Sequence, residues 1–280
     1  MNQQIDAIIQ LALAEDIGTG DLSAEHVIPV KARASGVMIS KAKGVLSGLT
    51  VVARVFELVD PSVRWSADIS NGESITPPAV IGQVEGPANS VLTAERTALN
   101  FIQRLSGVAT LTRAYVEAVA GTGVRIVDTR KTTPGMRILE KAAVRDGGGS
   151  NHRIGLFDGV MIKDNHIVAT GGDAGIHSAV ERARRNVPHT VKIEVEVSTL
   201  EQLELAIEAG ADIIMLDNMD INTMRKAVEL TDGRAVLEAS GGVTLSSVRE
   251  IAETGVNLIS VGALTHSAPA LDISLDLTVS

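Results

Sequence analysis

The feature that most restricts what this chain can fold into is a repeat. Apolar strand candidates stand at 124–127, 160–162, 191–197, 213–216, 235–237 and 258–261, separated by helix-forming segments near 136–145, 174–186, 199–209, 221–230 and 245–254. From the third strand onward the spacing is roughly 22 residues, the length of one strand, one helix and two short loops. Strands that alternate with helices pair in parallel, because each helical crossover returns the chain to the same edge of the sheet. Such units curl into a complete or incomplete α/β barrel, or they lie open as a doubly wound sheet. No Gly-x-Gly-x-x-Gly follows any of these strands, which weakens the dinucleotide-binding form of the open sheet.

Nearly every strand ends in residues able to do chemistry. These are Asp128 with Arg130 and Lys131, Lys163, Glu196, Asp217 with Asn218, Glu238 with Ser240-Gly241-Gly242, and Gly262. Active sites of α/β barrels are built from the loops at the carboxyl ends of the strands, so an active site is expected there. In 192–197 the strand period of two puts Lys192, Glu194 and Glu196 on one face, with an apolar face opposite. The carboxylates should therefore look into the barrel, and buried carboxylates need a lysine, Mg2+ or sugar hydroxyls as partners. Glu194 fits a structural pair with Lys192 as well as a functional role. Glu196 and Asp217, at the strand ends, are expected to be functional.

The cations Arg130, Lys131, His152, Arg153 and Lys163 gather at three loops rich in glycine and proline, within Asp128–Gly135, Gly147–Arg153 and Lys163–His166. Guanidinium forks match carboxylates and phosphates, and ammonium groups add point charge. A solvated basic surface is the bland alternative. The net charge is −9, however, and a local cation group in an acidic chain suits a small anion better than a nucleic acid. Ser240-Gly241-Gly242 and Gly262-Ala263, after the last two strands, would offer backbone N–H groups to a phosphate. Lys163 would also suit a Schiff-base aldolase, although several converging cations point to a polyanionic substrate. With no cysteine in the chain, disulfide, thiolate and zinc–thiolate chemistry are excluded. The first residues lack the pattern of a signal peptide and no run approaches a membrane span, so the cytoplasm is the expected location.

The amino-terminal part is patterned differently. Residues 3–15 suggest a helix and 16–21 a turn, while short runs at 34–40, 44–49, 64–69 and 80–83 surround a helix at 51–59. This is a strand-rich α+β segment. Two helices follow, over 88–105 and 108–119, and Arg96 lies off the apolar stripe of the first, where composition alone places it on the surface.

Taken together, Thr93–Asn100, Asp128–Thr132, Gly147–Arg153, Ile162–His166, Glu194-Val195-Glu196, Met215–Asn218, Glu238–Gly242 and Ser260–His266 resemble the quinolinate phosphoribosyltransferase family, as does the opening Glu15–Asp21. The resemblance covers essentially the whole chain in order. It implies an α/β fold with an incomplete, TIM-like barrel of parallel strands over 111–266. An amino-terminal α+β sandwich domain over 1–110 would be completed by the carboxyl-terminal tail, 267–280. It implies a homodimer in which Arg96 reaches the neighbour's site, against the surface placement from composition. The substrates would be quinolinate and phosphoribosyl pyrophosphate with Mg2+, and the products nicotinate mononucleotide, pyrophosphate and CO2. By the same resemblance Arg130, His152, Arg153 and the partner's Arg96 would hold the quinolinate carboxylates, and Lys131 and Lys163 would balance the pyrophosphate. Glu196 and Asp217 would hold Mg2+, directly or indirectly, or the ribose hydroxyls. Ser240, Gly241, Gly242, Gly262 and Ala263 would take the 5′-phosphate. A related phosphoribosyltransferase that does not decarboxylate, and the aldolase, are the competing activities.

Overall fold

The structure, a computed structural model, describes residues 3–280. The chain forms two compact units. Residues up to Arg113, Thr132–Gly148 and Leu264–Ser280 make the first; Ala114–Lys131 and Gly149–Ala263 make the second. In chain order the elements are α1 (Gln3–Ile17), α2 (Leu22–Val27), β1 (Arg33–Ser40), β2 (Gly44–Val45), α3 (Leu49–Val59), β3 (Arg64–Ala67), β4 (Ser74–Ile75), β5 (Ala79–Pro87) and α4 (Ala88–Ala118). Then come β6 (Arg125–Val127), α5 (Arg137–Asp146), β7 (Val160–Ile162), α6 (Asp164–Ala169), a 3-10 turn (Asp173–Gly175) and α7 (Ile176–Asn186). The rest is β8 (Ile193–Val197), α8 (Leu200–Glu208), β9 (Ile213–Asp217), α9 (Ile221–Thr231), β10 (Val236–Ser240), α10 (Val248–Ala252), β11 (Leu258–Ser260), α11 (Ala263–His266) and β12 (Ile273–Val279).

The first unit is built on a four-stranded antiparallel sheet in the order β12-β1-β5-β3. The carboxyl-terminal strand pairs along β1 from Ala34↔Val279 to Ser40↔Ile273, so the tail completes this sheet as expected. Helix α3 buries Val51, Val52, Val55 and Phe56, and Phe56 stacks on Trp65 of β3 with ring centroids 6.0 Å apart. The sequence did not announce α2. Asp21 starts it by accepting the Ala24 N–H at 2.9 Å, an N-cap inside what looked like a plain turn.

Two expectations change here. The two helices over 88–105 and 108–119 are one continuous helix, α4. Between the two ranges Gly107 serves close packing, since a Cβ on it would clash with the Pro269 carbonyl oxygen. Residues 132–148 also cluster with the first unit although they sit between barrel strands in sequence. Arg104 Nη2 donates to the buried Glu140 Oε1 at 2.7 Å, the Thr133 N–H donates to Glu140 Oε2 at 3.0 Å, and the Ser47 hydroxyl donates to Asp146 at 2.6 Å. A buried carboxylate with a guanidinium and two further donors is costly to separate, and that ties α5 to this unit.

The second unit is a six-stranded parallel sheet in the order β6-β11-β10-β9-β8-β7. Strands seven to eleven follow in sequence order and the first strand joins the last. A doubly wound sheet reverses its order at a switch point, and this one never does, so the winding is that of a barrel. Strands β6 and β7 are its edges. The only pairing described on the free side of β6 is an isolated bridge, Val127↔Ser150, so the barrel is incomplete. Alternation along β8 sends the wholly buried Ile193, Val195 and Val197 one way and Glu194 and Glu196 the other. Among the described residues no helix is long and apolar enough to cross a membrane.

Candidate active site

At the carboxyl ends of the barrel strands lies a cavity of about 450 Å3. Arg130, Lys131, Arg153 and Lys163 line it, together with Glu196, Asp217 and Ser240 from β8, β9 and β10. These were expected from the sequence to form the site, and the structure brings them around one space. His152, expected as well, joins them, and Thr129, Met161, Met215, Glu238 and Ser260 complete the wall.

The cations are aimed by buried neighbours. Asp128, fully buried at the end of β6, accepts from Asn151 Nδ2 at 2.6 Å and from the His152 N–H at 2.9 Å. One strand-end carboxylate thereby pins the glycine-rich loop that carries His152 and Arg153. The Arg153 guanidinium donates from Nη1 to the Gly159 carbonyl at 3.0 Å and from Nη2 to the Met161 sulfur at 3.5 Å, and the side chain lines the cavity. Burial disfavours the charged form of Arg153, and the neighbouring Arg130 adds like-charge repulsion, so its pKa is lowered from the usual arginine value while Glu194 and Asp158 oppose the shift. Two crowded guanidiniums store a field that an anion with two carboxylates would relieve.

Lys163 precedes α6, its own N–H donating to His166 Nδ1 at 3.0 Å, and its Nζ donates to Glu196 Oε2 at 2.7 Å. The lysine side chain is 43% exposed and the glutamate 16%. A Schiff-base lysine needs a desolvated, unpaired amine, so this geometry counts against the aldolase. Asp217, half-buried at the end of β9, has only the Asn218 amide as a described donor, at 3.0 Å. Glu196 and Asp217 thus offer oxygen ligands from adjacent strands, a donor set suited to Mg2+ or to vicinal hydroxyls.

The cavity wall reaches Ser240 and Ser260 but not Gly241, Gly242, Gly262 or Ala263, which occupy the loops just beyond β10 and β11. Gly241 has φ +99°, and a Cβ there would lie 2.1 Å from Asn218 Oδ1, so the loops after β9 and β10 interlock only with glycine at this position. Arg96 is exposed on α4, as composition suggested.

Deeper in the barrel, His152 meets two buried carboxylates, a contact that the sequence did not reveal. His152 Nε2 is 3.1 Å from Glu194 Oε2 and 3.5 Å from Glu238 Oε2, and both glutamates are buried. Burial, with Glu194 close by, pushes the Glu238 carboxyl up to about 7, and His152 partly offsets this. The suggested Lys192–Glu194 pair does not form. Lys192 goes outward to Asp212 at 3.1 Å, and Glu194 takes the histidine. His152 Nδ1 accepts the Arg153 N–H at 2.7 Å, so both ring nitrogens face protein atoms. The strand period already turned Glu194 inward with Glu196; applied to β10 it also turns Glu238, two residues before Ser240, the same way, one layer deeper.

Known proteins resemble this chain over nearly its whole length. Residues 21–106 match the profile described as quinolinate phosphoribosyl transferase, N-terminal domain, and residues 108–276 match that of the C-terminal domain. A probable nicotinate-nucleotide pyrophosphorylase [carboxylating] of Bacillus subtilis is 46% identical over 277 residues, 99% of this chain and 94% of the relative. The chloroplastic nicotinate-nucleotide pyrophosphorylase [carboxylating] of Oryza sativa is 44% identical over 98% of this chain and 77% of its own. The crystal structure of NadC from Streptococcus pyogenes superposes with a TM-score of 0.95 at 41% identity, covering 100% of this chain and 98% of that one.

Proposed function

The chain belongs to the quinolinate phosphoribosyltransferase family, and from that premise we propose how its cavity performs the family's reaction. The activity is transfer of phosphoribosyl from phosphoribosyl pyrophosphate to quinolinate with decarboxylation, giving nicotinate mononucleotide, pyrophosphate and CO2 for NAD synthesis. The observation that supports the residue roles is the convergence of four cations and two strand-end carboxylates on one cavity.

Quinolinate is a dianion. Arg130 and Arg153 take its carboxylates, their mutual repulsion being discharged by the two negative charges. His152, which the resemblance also sets at a carboxylate, lines the same cavity, and its Nδ1 accepts the Arg153 N–H. Lys131 and Lys163 balance the departing pyrophosphate. The 5′-phosphate is held by Ser240 and the backbone N–H groups of Gly241, Gly242, Gly262 and Ala263. Glu196 and Asp217 hold the ribose hydroxyls and stabilise the positive charge that develops at the anomeric carbon. The same two carboxylates would hold Mg2+, which when bound neutralises diphosphate charge. The ring nitrogen attacks the anomeric carbon as the C–O bond to pyrophosphate breaks. The adjacent carboxylate then leaves as CO2, its bonding pair stays on the ring carbon as an ylide stabilised by the neighbouring positive nitrogen, and a proton from water takes the vacated position. No protein nucleophile is required, and the enzyme's contribution is positioning and electrostatics. The expected setting is cytoplasmic.

Release of labelled CO2 from carboxyl-labelled quinolinate is expected only when phosphoribosyl pyrophosphate and Mg2+ are both present. Consumption of nicotinate without CO2 release would replace this activity with that of a non-decarboxylating relative.

The exposed Arg96 supports a homodimer that completes each site across its interface. Arg96→Ala and Lys163→Ala should each be nearly inactive, yet their mixture after subunit exchange should recover about a quarter of wild-type activity, since about half the dimers are mixed and each then holds one intact site. A mixture that exchanges subunits and stays inactive would place Arg96 outside the partner's site.

A further inference from the structure

We propose that His152, Glu194 and Glu238 form a second cation site, distinct from the Glu196–Asp217 pair, which holds a divalent first-row ion such as Zn2+ or Mn2+ inside the barrel. One ligand atom from each residue can be chosen so that all lie within 4.8 Å of one another. The His152 Nε2 to carboxylate distances, 3.1 and 3.5 Å, bracket the edge of about 3.4 Å between tetrahedral ligands bound at 2.0–2.2 Å.

The hydrogen-bond inventory favours a cation. The Glu194 side chain is 4% exposed and that of Glu238 1%. Oε1 of each is buried without a hydrogen-bond partner. With Nδ1 accepting from the Arg153 N–H, the imidazole has at most one N–H for these two carboxylates. One proton makes one good hydrogen bond, and oxygen acceptors remain unmet in a place where burial makes them costly. A divalent ion satisfies several at once. Imidazole among the ligands favours Zn2+ or Mn2+ over Mg2+, which prefers oxygen ligands.

There is also a way in. A second cavity, of about 410 Å3, opens at the opposite end of the strands, where Arg125, Val160, Ile213 and Leu258 begin β6, β7, β9 and β11. It reaches His152, Glu194 and Glu238. Arg153 and Lys192 also line it, so an anion is the rival occupant. At its inner end the buried carboxyl groups of Glu194 and Glu238 repel an anion and attract a cation. His152 and Glu238 are shared with the substrate cavity, so an ion here would lock the imidazole that aligns Arg153.

The test uses the full-length protein stripped with a chelator, then dialysed against Zn2+ or Mn2+ with millimolar Mg2+ present, with bound metal measured by mass spectrometry. About one equivalent per chain is expected in wild type and in Glu196→Gln/Asp217→Asn. At least tenfold weaker binding is expected in Glu238→Gln and Glu194→Gln, with a metal-dependent rise in thermal midpoint in wild type and in Glu196→Gln/Asp217→Asn but not in these two. X-ray absorption of the Zn2+-loaded wild type should show one imidazole among oxygen ligands, a readout that does not depend on the variants folding. Less than a tenth of an equivalent in wild type overturns the site. So does retention in both folded glutamine variants, loss in the Glu196/Asp217 variant, or a spectrum without imidazole.

Discussion

Arg153→Ala is expected to lower kcat/KM for quinolinate by about 10³-fold while KM for phosphoribosyl pyrophosphate changes little. The guanidinium sits partly buried at the end of the loop pinned by Asp128, donating to the Gly159 carbonyl, with its neighbour Arg130 disfavouring its charge. A forked guanidinium–carboxylate contact contains two charge-assisted hydrogen bonds of about 1.5–3 kcal/mol each, so its loss amounts to about 4 kcal/mol, or three decades of rate. Arg153→Lys should recover only part of this, because an ammonium cannot reproduce the fork. Steady-state kinetics with quinolinate varied at saturating phosphoribosyl pyrophosphate measures the effect. A loss below about tenfold, with the fold intact, would remove Arg153 from the carboxylate site.

The barrel and the main site were legible because each rests on a local pattern. Parallel pairing follows from strands alternating with helices, and the site follows from polar residues placed where barrel strands end. Arg130, Lys131, Lys163, Glu196, Asp217 and Ser240 were found on that basis, and they do surround one cavity. What stayed hidden depends on partners distant in sequence. The helix read as two pieces, 88–105 and 108–119, and nothing near Gly107 in sequence reveals the Pro269 carbonyl packed against it. Nothing near Glu140 in sequence reveals Arg104, 36 positions earlier, which supplies its counter-charge. Glu194 was matched to Lys192 on its own strand, yet the decisive neighbours are His152 and Glu238, from another loop and another strand. Asp128 was grouped with the reactive strand-end residues, but complete burial and two donors make it the support for the loop that carries Arg153.

Lys163→Ala and Glu196→Gln are each expected to reduce kcat by about 10³-fold, comparable to removing one preorganised charge from a transition state. The double variant should be little worse than the poorer single one. The reason lies in the 2.7 Å contact between Lys163 Nζ and Glu196 Oε2. Before substrate binds, each side chain is the other's counter-ion, so the pair keeps both charges at the mouth of the cavity without burying either one alone. During reaction the pair must separate in function. Lysine follows the negative charge accumulating on pyrophosphate, and glutamate faces the positive charge growing at the anomeric carbon. Neither half is useful alone, because the two charges develop on opposite sides of one breaking bond. Removing lysine leaves glutamate to face a leaving group that is no longer balanced, and neutralising glutamate leaves lysine near a ribose it does not stabilise. Such coupling makes the effects strongly non-additive. The stability cost should stay small, since the lysine is 43% exposed and exposed pairs contribute about 0–1 kcal/mol. A double-mutant cycle in kcat, with thermal midpoints recorded alongside, measures both quantities. Additive losses would mean that the two residues serve separate steps and that their contact only stores them between turnovers.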